Sequence, residues 1–188
     1  MLIDQLMRPF GYLSIRHPHK WVVDWGYPIF LAALSVLMIY YFGEKNKVIG
    51  AGGIVSLTLS FIQSLPGFYI AALAAIATFG RSDIDSVIPS PTPKVKIKIL
   101  GKESFVDLTR RRFLAMLFAF LTGESIILIL FSIFLSTFGS EIIELSKLNT
   151  YTGEAIFFLL IFTFFTALYQ MIVATFWGLY YLGYKLHE

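Results

Sequence analysis

The apolar residues of this chain fall into four long blocks separated by short polar segments. The blocks cover residues 25–43, 48–80, 113–140 and 155–184, and the only charged residue inside them is Glu124. A helix needs about 20 residues to cross roughly 30 Å of hydrocarbon. Each block is long enough for one crossing, so the pattern predicts an all-α membrane protein with four transmembrane helices.

Composition supports a lipid environment for most of the chain. Of the 188 residues, 57% are hydrophobic and only 14% are charged, whereas about a quarter of the residues of a soluble domain are charged. No segment between the blocks reaches the ~40 residues that a small domain needs to hold its own core. These observations exclude an ordinary water-soluble enzyme and a separate catalytic domain.

The distribution of lysine and arginine predicts the topology. Twelve of the fifteen basic residues lie in segments 1–24, 81–112 and 185–188, which share one side of the membrane if all four blocks cross it. Basic loops stay on the cytoplasmic side, so both termini are expected in the cytoplasm of a bacterial inner-membrane protein.

This topology divides the chain into five parts. They are an amphipathic cytoplasmic segment 1–24, a transmembrane hairpin 25–80, a basic cytoplasmic loop 81–112, a second transmembrane hairpin 113–184 and a cytoplasmic tail 185–188.

The N-terminal segment has apolar residues at spacings of one, three and four, which predicts a short amphipathic helix on the cytoplasmic membrane surface. Those residues are Leu2, Ile3, Leu6, Met7 and Phe10. Pro9 and Gly11 should end this helix early, and a disordered tail is the alternative. His17 and His19 are interpreted as solvated interfacial residues, since the chain has no cysteine and few carboxylates nearby to complete a metal site.

The second block is too long for one perpendicular crossing, because 33 residues of helix measure about 50 Å. We expect a kink near Pro66, with a re-entrant helix pair as a lesser alternative. Beyond it, Gly67, Ala71 and Ala75 recur every four residues, a pattern that lets helices approach closely in lipid. The stripe could pack against another copy of the chain or against another helix of the same chain.

The loop 81–112 contains a strict alternation of lysine and β-branched residues over Lys94–Ile99, which predicts a β-strand or hairpin. A lone strand is unstable, so it should lie on lipid headgroups, pair within an oligomer or add to a partner's sheet. Ser104 to Asp107 resembles a capping box that starts the third transmembrane helix.

The cations of this loop have three interpretations. They could set the topology and contact anionic lipid, bind a cytosolic protein, or bind nucleic acid. Binding of nucleic acid is disfavoured because the loop lacks an aromatic stacking surface. The candidate residues for contact with lipid or a partner are Lys94, Lys96, Lys98, Arg110, Arg111 and Arg112.

Glu124 is expected to be the only carboxyl within the spans, and such residues mark functional sites by default. Gln63 and Gln170 reach a similar depth on spans two and four, so the three residues could form one intramembrane polar layer. Glu124 could join the helices by hydrogen bonding or reach water at the inner interface, or it could lie on a wet path that gates ions or protons.

No enzyme motif is present: the sequence lacks a His-Glu-x-x-His helix, a P-loop and a serine nucleophile with a nearby base. All three histidines lie outside the apolar blocks. We therefore expect no catalytic residue, no metal and no cofactor.

The layout of four spans, both ends inside and a basic inner loop resembles the membrane subunits of bacterial anti-phage systems, most of all that of Kiwa. The resemblance covers most of the chain and lies in the charge pattern around Lys94–Lys98 and Arg110–Arg112 rather than in a diagnostic motif. It implies an inner-membrane homotetramer that senses phage attack and recruits a cytosolic, DNA-binding subunit.

We expect one of two functions. The first is a non-enzymatic, oligomeric scaffold and sensor that anchors a cytosolic effector. The alternative is an oligomeric ion-conducting pore or a membrane-depolarising effector, suggested by the polar layer.

Overall fold

A computed structural model of the chain describes residues 2–78, 80, 82–99, 102–148 and 150–182, with backbone alone at residues 82, 97–99, 102, 103, 148 and 150. Four helices are long and apolar enough to cross a membrane: span one (Val22–Phe42), span two (Lys45–Thr78), span three (Arg110–Thr137) and span four (Tyr151–Tyr180). This agrees with the predicted all-α, multi-pass class. The predicted tail 185–188 lies outside the described residues.

The chain runs through eight α-helices and one β-hairpin in the described part, joined by short 3-10 or π-helical turns. In order, these are α1 (Leu2–Leu6), a 3-10 segment (Arg8–Ser14), a π-helical turn (Val22–Gly26), α2 (Tyr27–Phe42), α3 (Lys45–Ile49), α4 (Ile54–Ile62), α5 (Leu65–Thr78), a 3-10 turn (Ser82–Asp85), β1 (Lys94–Ile99), β2 (Lys102–Asp107), α6 (Arg110–Thr137), α7 (Gly139–Leu148) and α8 (Thr150–Tyr180).

Span two is broken, as predicted, but slightly ahead of the expected point. Helix α4 ends at Ile62 and α5 begins at Leu65, which places Pro66 in the first turn of a new helix. Proline is tolerated there because that turn's N–H groups have no partner within the helix. The re-entrant alternative is wrong: Ile49 lies against Gly139 beyond one end of α6, whereas the Ile76 carbonyl accepts a 2.6 Å hydrogen bond from Arg111 at the other.

Helix α6 is the centre of the bundle, with α5, α4 and α8 packed around it, and α2 packs on α8. Its inward face is formed by fully buried leucine and phenylalanine residues such as Leu117, Leu121 and Leu128. Large apolar side chains also cover the outside of the bundle; Phe42 and Phe176 are exposed by 82% and 68%. Hydrocarbon is the solvent that suits such a surface.

The two ends of the bundle differ. At one end, called the hairpin end, the His17 and Trp177 rings lie 6.3 Å apart and Arg16 forms an antiparallel bridge with Lys94. The N-terminal segment, the hairpin and the end of α8 therefore lie together. At the opposite end, Lys45 donates hydrogen bonds to Ser146 (3.0 Å) and Glu154 (3.2 Å), and the polar segment between the third and fourth apolar blocks lies partly within α7.

The predicted strand pairs within its own chain. β1 and β2 are antiparallel, with Lys94 opposite Asp107 and Lys96 opposite Phe105. The capping-box interpretation of Ser104 to Asp107 is therefore wrong, because these residues form β2 and satisfy their backbone groups across the hairpin. The helix cap is Thr109, whose hydroxyl accepts a 3.3 Å hydrogen bond from the backbone of Arg112.

The N-terminal segment does more than lie on a surface. Helix α1 ends at Leu6, before Pro9 as expected, and its apolar side chains are exposed. The following 3-10 segment packs along α6, where the Tyr12 ring is fully buried and stacks on Phe120 at 5.0 Å. Since Phe120 is ten residues into α6, about 15 Å of rise, this segment inserts well into the bundle.

Candidate functional site

A buried polar cluster joins the N-terminal segment to spans one and four; it consists of Tyr12, Lys20, Asp24 and Gln170. The Asp24 carboxylate accepts a 3.0 Å hydrogen bond from the Tyr12 phenol and forms an ion pair with Lys20. The Gln170 side chain donates a 2.9 Å hydrogen bond to the Asp24 backbone carbonyl. None of the four residues is exposed by more than 7%, so the charges are held almost entirely away from water.

Local sequence spacing explains why these groups meet. Lys20 and Asp24 are four residues apart, which places them on one face of a helix. The chain around Asp24 forms a π-helical turn over Val22–Gly26, a widened geometry often found at functional positions. The Lys20 ammonium also lies 4.0 Å from the centroid of the Tyr12 ring, so a cation–π contact adds to the ion pair.

The surroundings fix the protonation of the tyrosine. Burial, reinforced by the negative charge of Asp24 and by the hydrogen bond to it, raises the pKa of Tyr12 far above its ordinary value. Tyr12 therefore stays a neutral proton donor at any physiological pH. Burial lowers the pKa of Lys20, and the ion pair with Asp24 opposes that effect.

Glu124 lies one helical turn beyond Phe120 on α6 and is exposed by only 6%. Its Oε2 atom is buried and has no hydrogen-bond partner within the described residues. A buried carboxyl oxygen without a partner is energetically costly, which keeps Glu124 a candidate functional residue. The candidate helices of spans one and four also contain carboxyl groups close to their ends, Asp24 and Glu154.

The predicted polar layer is not assembled within one chain. Gln170 is buried against Asp24, whereas Gln63 is exposed at the break between α4 and α5. Thr163 and Thr166 donate to carbonyls of their own helix instead of bridging to another one.

The small-residue stripe faces outward. Gly67, Ala71 and Ala75 are all exposed on α5, and a Cβ atom at Gly67 would meet nothing within 4 Å. The stripe therefore does not pack against another described helix of the same chain. Contact with another copy stays a prediction.

The basic residues singled out from the sequence divide into two groups. Lys94, Lys96 and Arg112 are exposed, and Lys94 lies 3.7 Å from Asp107. Arg111 instead has a structural role, since it forms two hydrogen bonds to the carboxylate of Asp85 and one to the end of α5.

The Arg111 contact lowers the pKa of Asp85. Arg110 is half-buried, and its backbone N–H donates to the Ser86 carbonyl at 3.0 Å. The side chain of Lys98 lies outside the described residues.

An open cleft of about 630 Å³ lies beside the buried polar cluster, between the N-terminal segment, the start of span one and the hairpin. We call it the basic cleft, because its lining includes three cations and one carboxylate. Its walls are Leu13, Ile15, Arg16, His17, Pro18, Lys20, Trp21, Asp24, Trp25, Thr92, Lys94 and Phe105. Two further cavities, along α2 and α8, have mainly apolar and aromatic walls.

The arrangement can bind and hold charge, but it does not resemble a metal centre. Within the described ranges, no three His, Asp or Glu side chains converge in a way that could hold a metal ion. His17 lines the basic cleft, and its Nδ1 atom is buried without a hydrogen-bond partner in the described part. Burial and the charges of His19 and Lys20 lower the pKa of His17, which favours its neutral form.

Sequence reasoning missed three members of the buried polar cluster. Lys20 enters the topology argument only as one basic residue of segment 1–24, and no motif singles out Asp24 or Tyr12. A usable signal existed: the spacing Lys20-x-x-x-Asp24 beside Trp21 and Trp25 places an ion pair at a membrane boundary.

Comparison of the chain with known protein families, curated proteins and solved structures finds no match. The function is therefore inferred from the geometry of the two ends of the bundle and from the charge of the hairpin end.

Proposed function

We propose that this protein is a non-enzymatic, oligomeric inner-membrane scaffold and sensor that anchors a cytosolic effector at its hairpin end. The observation that carries the proposal is the pair of backbone hydrogen bonds between Arg16 and Lys94, at 2.8 and 3.1 Å. They attach the hairpin to the N-terminal segment, which itself inserts along α6. The hairpin is thus held in a fixed position on the bundle, with its exposed residues accessible to a partner.

Further hydrogen bonds hold the rest of the basic loop. The backbone of Ile88 donates to Leu108 at 3.1 Å, and that of Leu108 donates to Pro93 at 3.0 Å. Together with the hydrogen bonds from Arg111 to Asp85 and to the Ile76 carbonyl, these bonds join the loop to spans two and three. A segment that served only to set topology would not need such ordering.

The exposed surface of this end is basic and partly apolar. Lys96 is exposed, and Phe105 and Val87 are exposed by 47% and 52%. A mixture of cations and accessible apolar groups suits a protein partner with an acidic surface. The excess of lysine and arginine at the hairpin end favours its location in the cytoplasm, and the resemblance to anti-phage membrane subunits suggests defence as the setting.

Self-association is part of the proposal. The exposed stripe of Gly67, Ala71 and Ala75 permits close helix approach. Gln63 adds an amide on the outside of the same span, and a second copy could satisfy its hydrogen bonds better than lipid can.

Purification of the tagged full chain from native membranes tests the scaffold. Wild type should co-purify with a cytosolic protein in a fixed ratio. In Lys96→Glu, the amount of that protein should fall at least tenfold. Lys47→Glu reverses a charge at the opposite end and should retain the partner. Preparations without any partner, or equal losses in both variants, would contradict the proposal.

A pore is the second candidate, and the exposed Gln63 is the observation that favours it. Copies that meet along span two would bring their Gln63 amides together and could line a polar path between subunits. Conductance of the reconstituted protein tests this candidate, with Gln63→Leu compared with Glu124→Gln. Current that falls in Gln63→Leu supports a path between copies, and absence of wild-type current rejects it.

A further inference from the structure

The basic cleft lies at the boundary of span one, beside the surface proposed to hold the effector, and it shares Phe105 with that surface. Its floor is the Lys20–Asp24 ion pair, in which the two charges balance each other. Arg16 and Lys94 remain as the outer cations of the lining. The cleft therefore presents a net positive charge to whatever enters it.

Arg16 is held in place without being neutralised. Its guanidinium carbon lies 4.7 Å from the centroid of the Phe105 ring, and within the described residues it has no carboxylate partner. Stacking on an aromatic ring leaves the N–H groups at the guanidinium edge free to donate. Lys94 is exposed by 56% and lies 3.7 Å from Asp107, a separation typical of a weak surface pair.

The membrane side of the cleft is aromatic. Trp21 and Trp25 line it and are exposed by 68% and 39%. Indole side chains concentrate at the level of lipid headgroups, where one end of the ring is in apolar surroundings and the other is hydrated. The cleft thus combines two outer cations with an aromatic wall at the boundary of span one.

We propose that the basic cleft binds the headgroup of an anionic phospholipid, with Arg16 and Lys94 contacting its phosphate and Trp21 and Trp25 contacting the upper part of its acyl chains. Arginine provides directed hydrogen bonds to phosphate oxygens, and lysine provides a point charge. The volume of about 630 Å³ lies within the range of small-ligand sites.

A phospholipid explains the site better than a soluble phosphate does. The cleft opens beside the first residues of span one, and a soluble ligand would gain nothing from two exposed tryptophans there. Anionic lipids are also abundant in the leaflet that basic segments face. A bound lipid would rest on both the N-terminal segment and the hairpin and so stabilise their contact.

Native mass spectrometry of the full chain in detergent tests this proposal, with phosphatidylglycerol and phosphatidylcholine as the added lipids. Wild type should bind phosphatidylglycerol at least tenfold more tightly than phosphatidylcholine. Arg16→Gln combined with Lys94→Gln should remove that preference, and Arg16→Lys should keep most of it. Arg8→Gln removes an exposed arginine of the N-terminal segment that does not line the cleft, and it should keep all of that preference.

Circular dichroism and gel filtration of each variant separate loss of binding from loss of folding, and the single Arg16→Gln variant replaces the double variant if the latter misfolds. Equal binding of the two lipids by wild type would overturn the proposal. An unchanged preference in the folded cleft variants, or the same loss in Arg8→Gln, would also overturn it. Displacement of phosphatidylglycerol by millimolar inorganic phosphate would assign the site to a soluble anion instead.

Discussion

The Tyr12 phenol and the Asp24 carboxylate, twelve positions apart in the chain, are joined by a buried hydrogen bond of 3.0 Å. This contact links the inserted N-terminal segment to the first turn of span one. The N-terminal segment is therefore a part of the bundle, and residues that hold it should contribute measurably to stability.

Tyr12→Phe removes this hydrogen bond and retains the ring that stacks on Phe120. We expect the free energy of unfolding in detergent to fall by about 1–2 kcal/mol, because the Asp24 carboxylate loses a buried donor. Denaturant titration monitored by circular dichroism measures the change. Tyr40→Phe makes the same chemical change at an exposed position and should alter stability by less than about 0.5 kcal/mol; a larger effect there would argue against the buried bond as the cause.

Asp24→Leu leaves the Lys20 ammonium buried without its partner, and we expect a loss of about 3–5 kcal/mol. The double variant Lys20→Met, Asp24→Leu should recover much of that loss, since no charge remains to be solvated. The exposed pair of Glu44 and Lys47 is the control, and its disruption should cost less than about 1 kcal/mol. Strictly additive losses at Lys20 and Asp24 would contradict a coupled pair.

His17 should make stability depend on pH. Its folded-state pKa is lowered from 6.5, first by burial and then by the charges of His19 and Lys20, with the Pro91 backbone opposing them. The unfolded chain then binds more protons in the window below pH 6.5, so stability is full above that window and falls as the pH decreases through it.

The unfolding temperature measured between about pH 7 and pH 5 checks this sign. His17→Asn should flatten the acid side of the curve, and His19→Asn should leave most of the slope. A curve that keeps its slope without His17 would assign the pH dependence to other groups.

Gly67→Leu should weaken self-association, because a large side chain blocks close approach of two copies of α5. The fold of one chain should survive, since the position faces open space. Light scattering of the purified protein should report a smaller particle than wild type. Ala77→Leu places the same side chain at an exposed position of α5 outside the stripe and should leave the mass unchanged; an unaltered mass in Gly67→Leu would reject this interface.

The sequence was informative where one physical factor dominates. Long apolar blocks predicted four spans because hydrocarbon admits little else, and the alternation in Lys94–Ile99 predicted a strand. The break in span two also followed from length and from Pro66. Its position differed by a few residues because proline begins a helix more readily than it interrupts one.

Features that depend on tertiary contact were not predicted. The contact of Tyr12 with Asp24 requires the chain to turn between these two residues, and no local pattern in residues 8–20 specifies where the ring goes. Similarly, Ser104 to Asp107 carries both a capping signal and alternation, and the strand prevailed because Lys94–Ile99 supplies its hydrogen-bond partners. The sequence predicts a similar depth for Gln63 and Gln170, but Gln63 is exposed whereas Gln170 is buried against Asp24.

Helix α8 runs without interruption for 31 residues, about 46 Å at 1.5 Å per residue. It begins near Glu154, which holds Lys45 at the opposite end, and it carries Gln170 against the Asp24 carbonyl near the hairpin end. The helix is therefore a continuous, rigid connection between the two ends of the bundle. A tilt of the end of α8 near Glu154 would act on the turn that fixes the N-terminal segment, because α8 has no break between Glu154 and Gln170.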